Sequence, residues 1–229
     1  MKLHVASDLH GMVDLALLDP DHADVVVLAG DVAPLNSLDR TGIIAQCAWM
    51  RRSFLRFVED HRETDFVVVP GNHDFWGEIR EFIGLKWPSN LHFLINSGCE
   101  IGGVKFWGMP QIPEINGLWA FESRPEALEA ACDKIPSGLD VLVTHTPPRV
   151  DGSDIDTSCG MIRINGKDPH FGSVELLDAI LDVQPRYCFC GHIHTGSHEC
   201  LEIGKTRCFN VSLLDEDYRI GYMKLEVEI

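Results

Sequence analysis

The chain is poor in basic residues. Lysine and arginine number 19 against 35 aspartates and glutamates, a formal net charge of −16. With no basic stripe to track a polyanion, extended nucleic acid is not an expected partner. Long apolar runs are also missing: none approaches the roughly 20 residues of a membrane-spanning helix, so no membrane association is expected. The opening stretch, MKLHVASDLHG, has charges and histidine where a secretory leader would need its apolar segment. A cytoplasmic location is the expectation. The eight cysteines, at 47, 99, 132, 159, 188, 190, 200 and 208, show no repeated CxxC spacing, which removes a zinc ribbon. Several stand in strand-like runs such as YCFCGH and RCFNV, where reduced thiols pack as small hydrophobes. Internal repeats, low-complexity tracts and linkers are absent too, and one domain over 1–229 is expected.

What is present is a series of short apolar runs, at 3–6, 25–29, 66–69, 91–95, 104–107, 141–143 and 187–190. Those near the N-terminus are almost purely hydrophobic, as strands covered on both faces must be. Between them, 42–61, 125–135 and 173–181 carry apolar residues at helical spacing, the first with Ile43, Ile44, Cys47, Met50, Phe54, Phe57 and Val58. The last third alternates and turns at Gly204-Lys205, which predicts antiparallel β-structure. Strand–helix alternation followed by β-rich sequence argues for an α/β layered sandwich with helices outside. Two connections, 109–122 and 146–172, lack periodicity and are long enough to be expected to serve a site.

The polar residues fall in a pattern. Asp8 and His10 follow the first strand, Asp31 the second, and Asn72, His73 and Asp74 the third. His145 follows the run at 141–143, and His192 and His194 follow the run at 187–190. Ligands gather at such carboxyl ends in open α/β sheets. In extended chain, residues two apart point to the same side, so the Asp8/His10 and His192/His194 pairs can each face one pocket. Gly30, Gly71 and Gly191 each precede a polar group and permit a sharp exit. Taken singly, a DxH is most often a turn and a histidine after a strand a hydrogen-bonded structural group. Five histidines falling together at strand ends, in a chain with 11 of 229, are not explained that way. Two carboxylates, an amide and four imidazoles suit first-row divalent ions (Mn, Fe, Co, Ni or Zn), and seven ligands suit two ions better than one. Two dications against two aspartates leave net positive charge, which would bind phosphate oxygens and acidify a bridging water.

The motifs Asp8-Leu9-His10, Gly30-Asp31, Gly71-Asn72-His73-Asp74, His145 and Gly191-His192-Ile193-His194, in that order, resemble the calcineurin-like metallophosphoesterase family. The stretches GMPQIPEINGLWAF and DVLVTHTPP further resemble its metallophosphoesterase-domain-containing subgroup. The resemblance implies an αββα sandwich of two mixed β-sheets flanked by helices, with a dinuclear centre at the strand ends. It implies one ion on Asp8, His10, Asp31 and His194, and another on Asp31, Asn72, His145 and His192, with Asp31 shared. His73 matches the family's catalytic histidine, which contacts the phosphoryl group or protonates the leaving oxygen, and Asp74 would orient it. One departure is informative. Protein phosphatases of the family carry Asp-Arg-Gly after the bridging aspartate, whereas this chain has GDVAPLNSLDR, with Arg40 too far along.

The expected reaction is therefore in-line hydrolysis of a phosphoester by a hydroxide bridging two ions. A small phosphodiester, cyclic or nucleotide-type, suits an acidic protein better than a polyanion does. The alternatives are a phosphomonoesterase or protein phosphatase of the same family, and a non-catalytic scaffold. His170 and Arg149 are candidate substrate contacts, and Trp76 and Trp107 are expected in the core. His4, His22, His61, His92 and His198 are read as structural or exposed.

Overall fold

The purest apolar runs become the most central strands. The computed structural model describes residues 1–79, 87–153, 155–156, 170–195 and 198–229. In chain order its strands begin with β1 (Lys2–Ala6), β2 (Val25–Ala29), β3 (Asp65–Val69), β4 (Leu91–Phe93), β5 (Ser97–Ile101) and β6 (Val104–Met109). They continue with β7 (Ile112–Pro113), β8 (Glu122–Ser123), β9 (Val141–Thr144), β10 (Tyr187–Cys190), β11 (Leu201–Ile203), β12 (Thr206–Asn210) and β13 (Leu225–Glu228). The first sheet has the order β13-β1-β2-β3-β4 and the second β11-β12-β10-β9-β6-β5. Strands β1 to β4 are parallel, with β13 antiparallel at the edge; in the second sheet the antiparallel pairs are the outer ones, β5 on β6 and β11 on β12.

Alternation along the strands divides the apolar residues between layers. Val25, Val27 and Ala29 of β2 face the second sheet and meet Val141, Val143 and Phe189. Val26 and Leu28 face outward, onto Met50, Phe54 and Val58. Leu142, Cys188 and Cys208 face outward from the second sheet onto Leu176 and Ile180. Burying each such Val or Leu contributes about 1.5–3 kcal/mol, so three apolar layers hold the four structural ones together. The helices are α1 (Arg40–Trp49), α2 (Leu55–Asp60), α3 (Pro125–Cys132) and α4 (Val174–Val183), giving two mixed sheets flanked by helices.

The expected helix over 42–61 starts at Arg40, capped by the Asp39 carboxylate on the Gly42 N–H, and passes through a π-turn, Met50–Phe54, into α2. Ile44, expected inward, is 58% exposed. Ser173 caps α4, its hydroxyl accepting from the Leu176 N–H at 3.0 Å. β5 escaped the sequence reading because it is an edge strand with Ser, Gly and Glu in place of a hydrophobic run. The antiparallel expectation for the last third holds for the Gly204-Lys205 hairpin and for β13, but β12 runs parallel to β10. Among the described residues the cysteines are free thiols, and Trp76 is fully buried while Trp107 packs on the outer layer of the second sheet. Cys159 and part of the 146–172 connection lie outside the described residues.

Candidate metal centre

Both sheets bring the carboxyl ends of their parallel strands to one place. The loops after β1 and β2 zip together, Asp8 N–H onto the Gly30 carbonyl (2.9 Å) and His10 N–H onto the Asp31 carbonyl (2.8 Å). The Ser7 N–H donates to the Val211 carbonyl and the Leu213 N–H to the Ser7 carbonyl, which stitches the first sheet to the exit of β12. These turns are backbone-strained: Asp8, His10, Asp31 and His192 all have positive φ, between 47° and 69°. Non-glycine residues rarely adopt it, and such strain clusters at functional sites. Of the three glycines, Gly30 alone has positive φ; at Gly71 and Gly191 the reason is space, since a Cβ would strike Asp31 Oδ1 and Asp8 Oδ2 respectively.

Asp8 and Asp31 are buried, and each divides its oxygens between the backbone and the cavity. Asp31 Oδ1 accepts the His73 N–H at 2.8 Å. Its Oδ2 lies 3.3 Å from His145 Nε2 and 3.8 Å from His10 Nε2, between the two histidines. Asp8 accepts from the Ser7 hydroxyl and the His192 N–H, and its Oδ1 lies 3.4 Å from His194 Nε2 and 4.0 Å from His10 Nε2. Asn72 Oδ1 is 2.9 Å from His145 Nε2, and the His192 ring packs edge-on against His145 at 5.0 Å. Thus the seven residues expected as ligands come together, from strand ends as far apart as His10 and His194.

Two backbone carbonyls set the tautomers. His145 Nδ1–H donates to the Ala29 carbonyl (2.9 Å) and His194 Nδ1–H to the Asp215 carbonyl (3.1 Å). Each ring thereby turns its Nε2 toward buried acceptors: His145 toward Asn72 Oδ1 and Asp31 Oδ2, His194 toward Asp8 Oδ1 beside His10 Nε2. Acceptors converging at 2.9–3.4 Å need positive charge among them, a proton on Nε2 or a metal ion in its place, and this orientation by a carbonyl is how metal-binding histidines are held. The residues present fit divalent metal ions. Their titration fits as well. Burial pushes His10 down to about 4 and, reinforced by charge on His145, His192 down to about 3, leaving both neutral. Burial works against the charged forms of His145 and His194 too, but the Asp31 and Asp8 carboxylates override it and raise them to about 9 and about 8. Burial opposes ionisation of Asp8 and Asp31, yet the surrounding imidazoles hold both carboxylates below their usual range.

His73 stands beside this group. Its ring meets His10 edge-on at 4.8 Å and lies at 4.5 Å from Trp119. The expectation that Asp74 orients the His73 ring is corrected. Asp74 is fully buried and accepts N–H bonds from Val32, Ala33, Gly71 and the Trp76 indole, at 2.9–3.1 Å. Burial and the Asp31 charge push it up to about 6, and the four donors serve an ionised carboxylate that ties the loops after β2 and β3 together. His73 is positioned through its backbone: Gln46 of α1 donates to its carbonyl (2.7 Å) and accepts the Trp76 N–H (3.0 Å). Gln46 was missed in the sequence; its one signal is that it is the polar side chain in the buried series 42, 46, 50, 54, 58. His170 and Arg149 are drawn elsewhere. His170 Nδ1 lies 2.7 Å from buried Asp156, Arg149 Nε lies 3.3 Å from Asp151, and neither lines the clefts beside the centre. Arg40 is exposed at the start of α1.

The comparison with known families agrees with this geometry. The model of the calcineurin-like phosphoesterases matches residues 1–196. The chain belongs to the calcineurin-like phosphoesterase family. Curated relatives include the UPF0046 protein K07C11.7 of Caenorhabditis elegans, 26% identical over 96% of this chain and 72% of that protein. The human metallophosphoesterase domain-containing protein 1 is 32% identical over 71% of this chain and 47% of its own length. The chain spans between 30% and 72% of the curated relatives it matches. Among solved structures, TT1561 of Thermus thermophilus covers 91% of the chain with a TM-score of 0.62 at 14% identity. The phosphopantetheinyl hydrolase of Mycobacterium tuberculosis covers 99% with 0.53 at 16%. At these identities the structures support the fold, and the family match carries the assignment. Members of this family generally use divalent metals, and the donor set found here is of that kind. No helix among the described residues is long and apolar enough to cross a membrane.

Proposed function

We propose that the chain is a metal-dependent hydrolase of small phosphodiesters, holding two divalent transition-metal ions, and that Asp31 is shared between them. The observation that carries this reading is Asp31 Oδ2 standing between His10 and His145, one carboxylate oxygen linking two clusters of lone pairs. One half-site would consist of Asp8, His10, Asp31 and His194, and the other of Asp31, Asn72, His145 and His192. When bound, such ions acidify a water and neutralise phosphate oxygens. The chain's own residues do the rest. Asp8 and Asp31, fixed by hydrogen bonds from Ser7, His192 and His73, present oxygens that do not reorganise. His73, seated between His10 and Trp119, reaches the edge of the centre as the proton donor to the leaving oxygen.

A diester suits the surroundings better than a monoester. No lysine or arginine among the described residues lines either cleft at the centre, so the second charge of a monoester dianion finds no partner there. The test is a steady-state screen of nitrophenyl mono- and diesters and of cyclic and linear nucleotide esters, with Mn, Fe, Co, Ni, Zn and Mg supplied in turn. Metal-dependent turnover favouring diesters is expected. Turnover surviving a chelator would overturn the reading, and a preference for monoesters would replace the substrate class.

A further inference from the structure

Among the described residues, two clefts open beside the centre. On one side a cleft of about 270 Å³ is walled by Ile115, Phe171, His192, Ile193, His194 and Tyr218, among others. On the other a cleft of about 380 Å³ is walled by His10, Pro34, Leu35, Asn36, His73 and Tyr218, among others. Tyr218 is common to both, and its ring stands 5.1 Å from the rings of His10 and of His194. It is a fixed partition. Its φ is +58°, and its N–H donates to the Asp215 carbonyl (3.0 Å), the same oxygen that accepts from His194 Nδ1. Asp215 Oδ1 in turn accepts the N–H groups of Asp217 and Arg219 at 3.0 and 2.9 Å, which closes the turn around Tyr218.

The two clefts differ in chemistry. The Ile115 side presents mostly apolar surface against the candidate ligands His192 and His194, with Thr195 and Glu216 also in its lining, and among the described residues Ile115 is 50% and Tyr218 44% exposed. The other side carries His73 and Asn36. A phosphorus atom held at the centre between the clefts would send one substituent into each. A cyclic ester has both its ester oxygens on one ring and would fill a single cleft.

We propose that the substrate is an open-chain phosphodiester whose retained arm is planar and apolar and lies against Tyr218, Ile115, Phe171 and Ile193, while its leaving arm lies beside His73. This rests on the phosphodiesterase reading and narrows it. In the balanced reaction, a bond forms between phosphorus and a water-derived oxygen. The bond from phosphorus to the leaving arm breaks, and that oxygen takes a proton from His73. The products are an alcohol and the monoester of the apolar arm.

The experiment compares 4-nitrophenyl phenyl phosphate with methyl 4-nitrophenyl phosphate on manganese-loaded protein, so that the leaving arm is constant and only the retained arm changes. The wild-type protein is expected to favour the phenyl ester in kcat/KM by about 10-fold or more. Tyr218→Ala is expected to bring that ratio to about 3 or less, chiefly through the KM of the phenyl ester, and Tyr218→Phe to retain it. Ile115→Ala, on the facing wall, should lower the ratio about 3-fold, and metal content per chain should stay at the wild-type level in all three. Calorimetric titration with diphenyl and dimethyl phosphate reads the same preference without following turnover. Diester cleavage with a wild-type ratio near 1, or a ratio unmoved by both Ala variants, overturns the assignment of the arm. Cleavage of 4-nitrophenyl phosphate with neither diester turned over overturns the diester reading as well.

Discussion

Among the described residues, four histidine–carboxylate groups have ligand atoms within 4.8 Å of one another; three share residues at the candidate metal centre and one lies apart, and the two places differ in what balances their charge. In one, His4, Asp19 and Glu226 surround the edge of β1 and β13. His4 is buried and its Nδ1–H donates to the Leu18 carbonyl, so its Nε2 faces Glu226 at 3.8 Å much as His145 faces Asp31. Here the cation is already present: Lys224 Nζ sits 3.1 Å from Glu226 and 3.5 Å from Asp19, and Lys2 Nζ 2.9 Å from Glu226. In the other, Asp8 and Asp31 are enclosed, and among the described residues the groups facing them in ion-pair range are imidazoles. Proximity of donor atoms is therefore a weak sign of a metal site. Buried carboxylates whose partners are imidazoles, which can give up a proton to a metal ion, are a stronger one, since a bare buried charge is costly.

The largest effect should come from the shared oxygen. Asp31→Asn is expected to cut turnover by roughly 10³-fold and to lower metal uptake at both half-sites, read by elemental analysis alongside rates. Metal retained at the wild-type level would show that the two half-sites are not joined through Asp31. Next comes His73→Ala, which should lower kcat by about 10²- to 10⁴-fold while metal content stays. Rates equal to wild type would remove His73 from proton transfer.

A titration sharpens the comparison further. In chelated protein, His145 and His194 have folded pKa values of about 9 and about 8, above the ordinary 6.5. Their stabilising contribution is thus fully present below pH 6.5 and is lost as pH rises through 8 and 9. His10 and His192, held at about 4 and about 3, act oppositely and cost stability below 6.5. Thermal unfolding of the chelated protein should show stability declining from pH 6.5 to 9, a decline that added metal abolishes. Metal uptake at pH 7 should release about two protons, one from each raised histidine, measurable by calorimetry in buffers of different ionisation enthalpy. Release of none would mean that the cations do not displace these protons. The smallest effect belongs to the other cluster: Lys224→Met should leave metal stoichiometry unchanged and cost about 1 kcal/mol or less in denaturant unfolding.

Much of this was legible in local pattern. Apolar runs at 25–29 and 187–190 became β2 and β10 residue for residue, because a strand covered on both faces has no polar positions to blur its ends. The residues expected as ligands were visible for a related reason, as polar groups set directly after those runs. What escaped notice lies on irregular segments. Trp119 and Ile115 come from a connection with no period, and Tyr218 from a turn within the last third, which was read as antiparallel β-structure. Gln46 was hidden because a single polar residue in a helical stripe reads as noise until its partners, the His73 carbonyl and the Trp76 N–H, are known. Asp74 was misread because the family resemblance implied an orienting contact with His73, whereas its carboxylate is taken up by the N–H groups of Val32 and Ala33.

By itself the order of residues determined the layered α/β architecture and the identity of the polar groups at the strand ends. Both follow from short-range rules, the alternation of side chains along a strand and the exit of the chain at its carboxyl end. Tertiary structure alone decided which nitrogen of His145 and of His194 is free, which oxygen of Asp31 stands between two histidines, and that Tyr218 parts the mouth of the centre. Those outcomes depend on groups 184 residues apart meeting across two sheets, and only the packing of one sheet on the other fixes that distance.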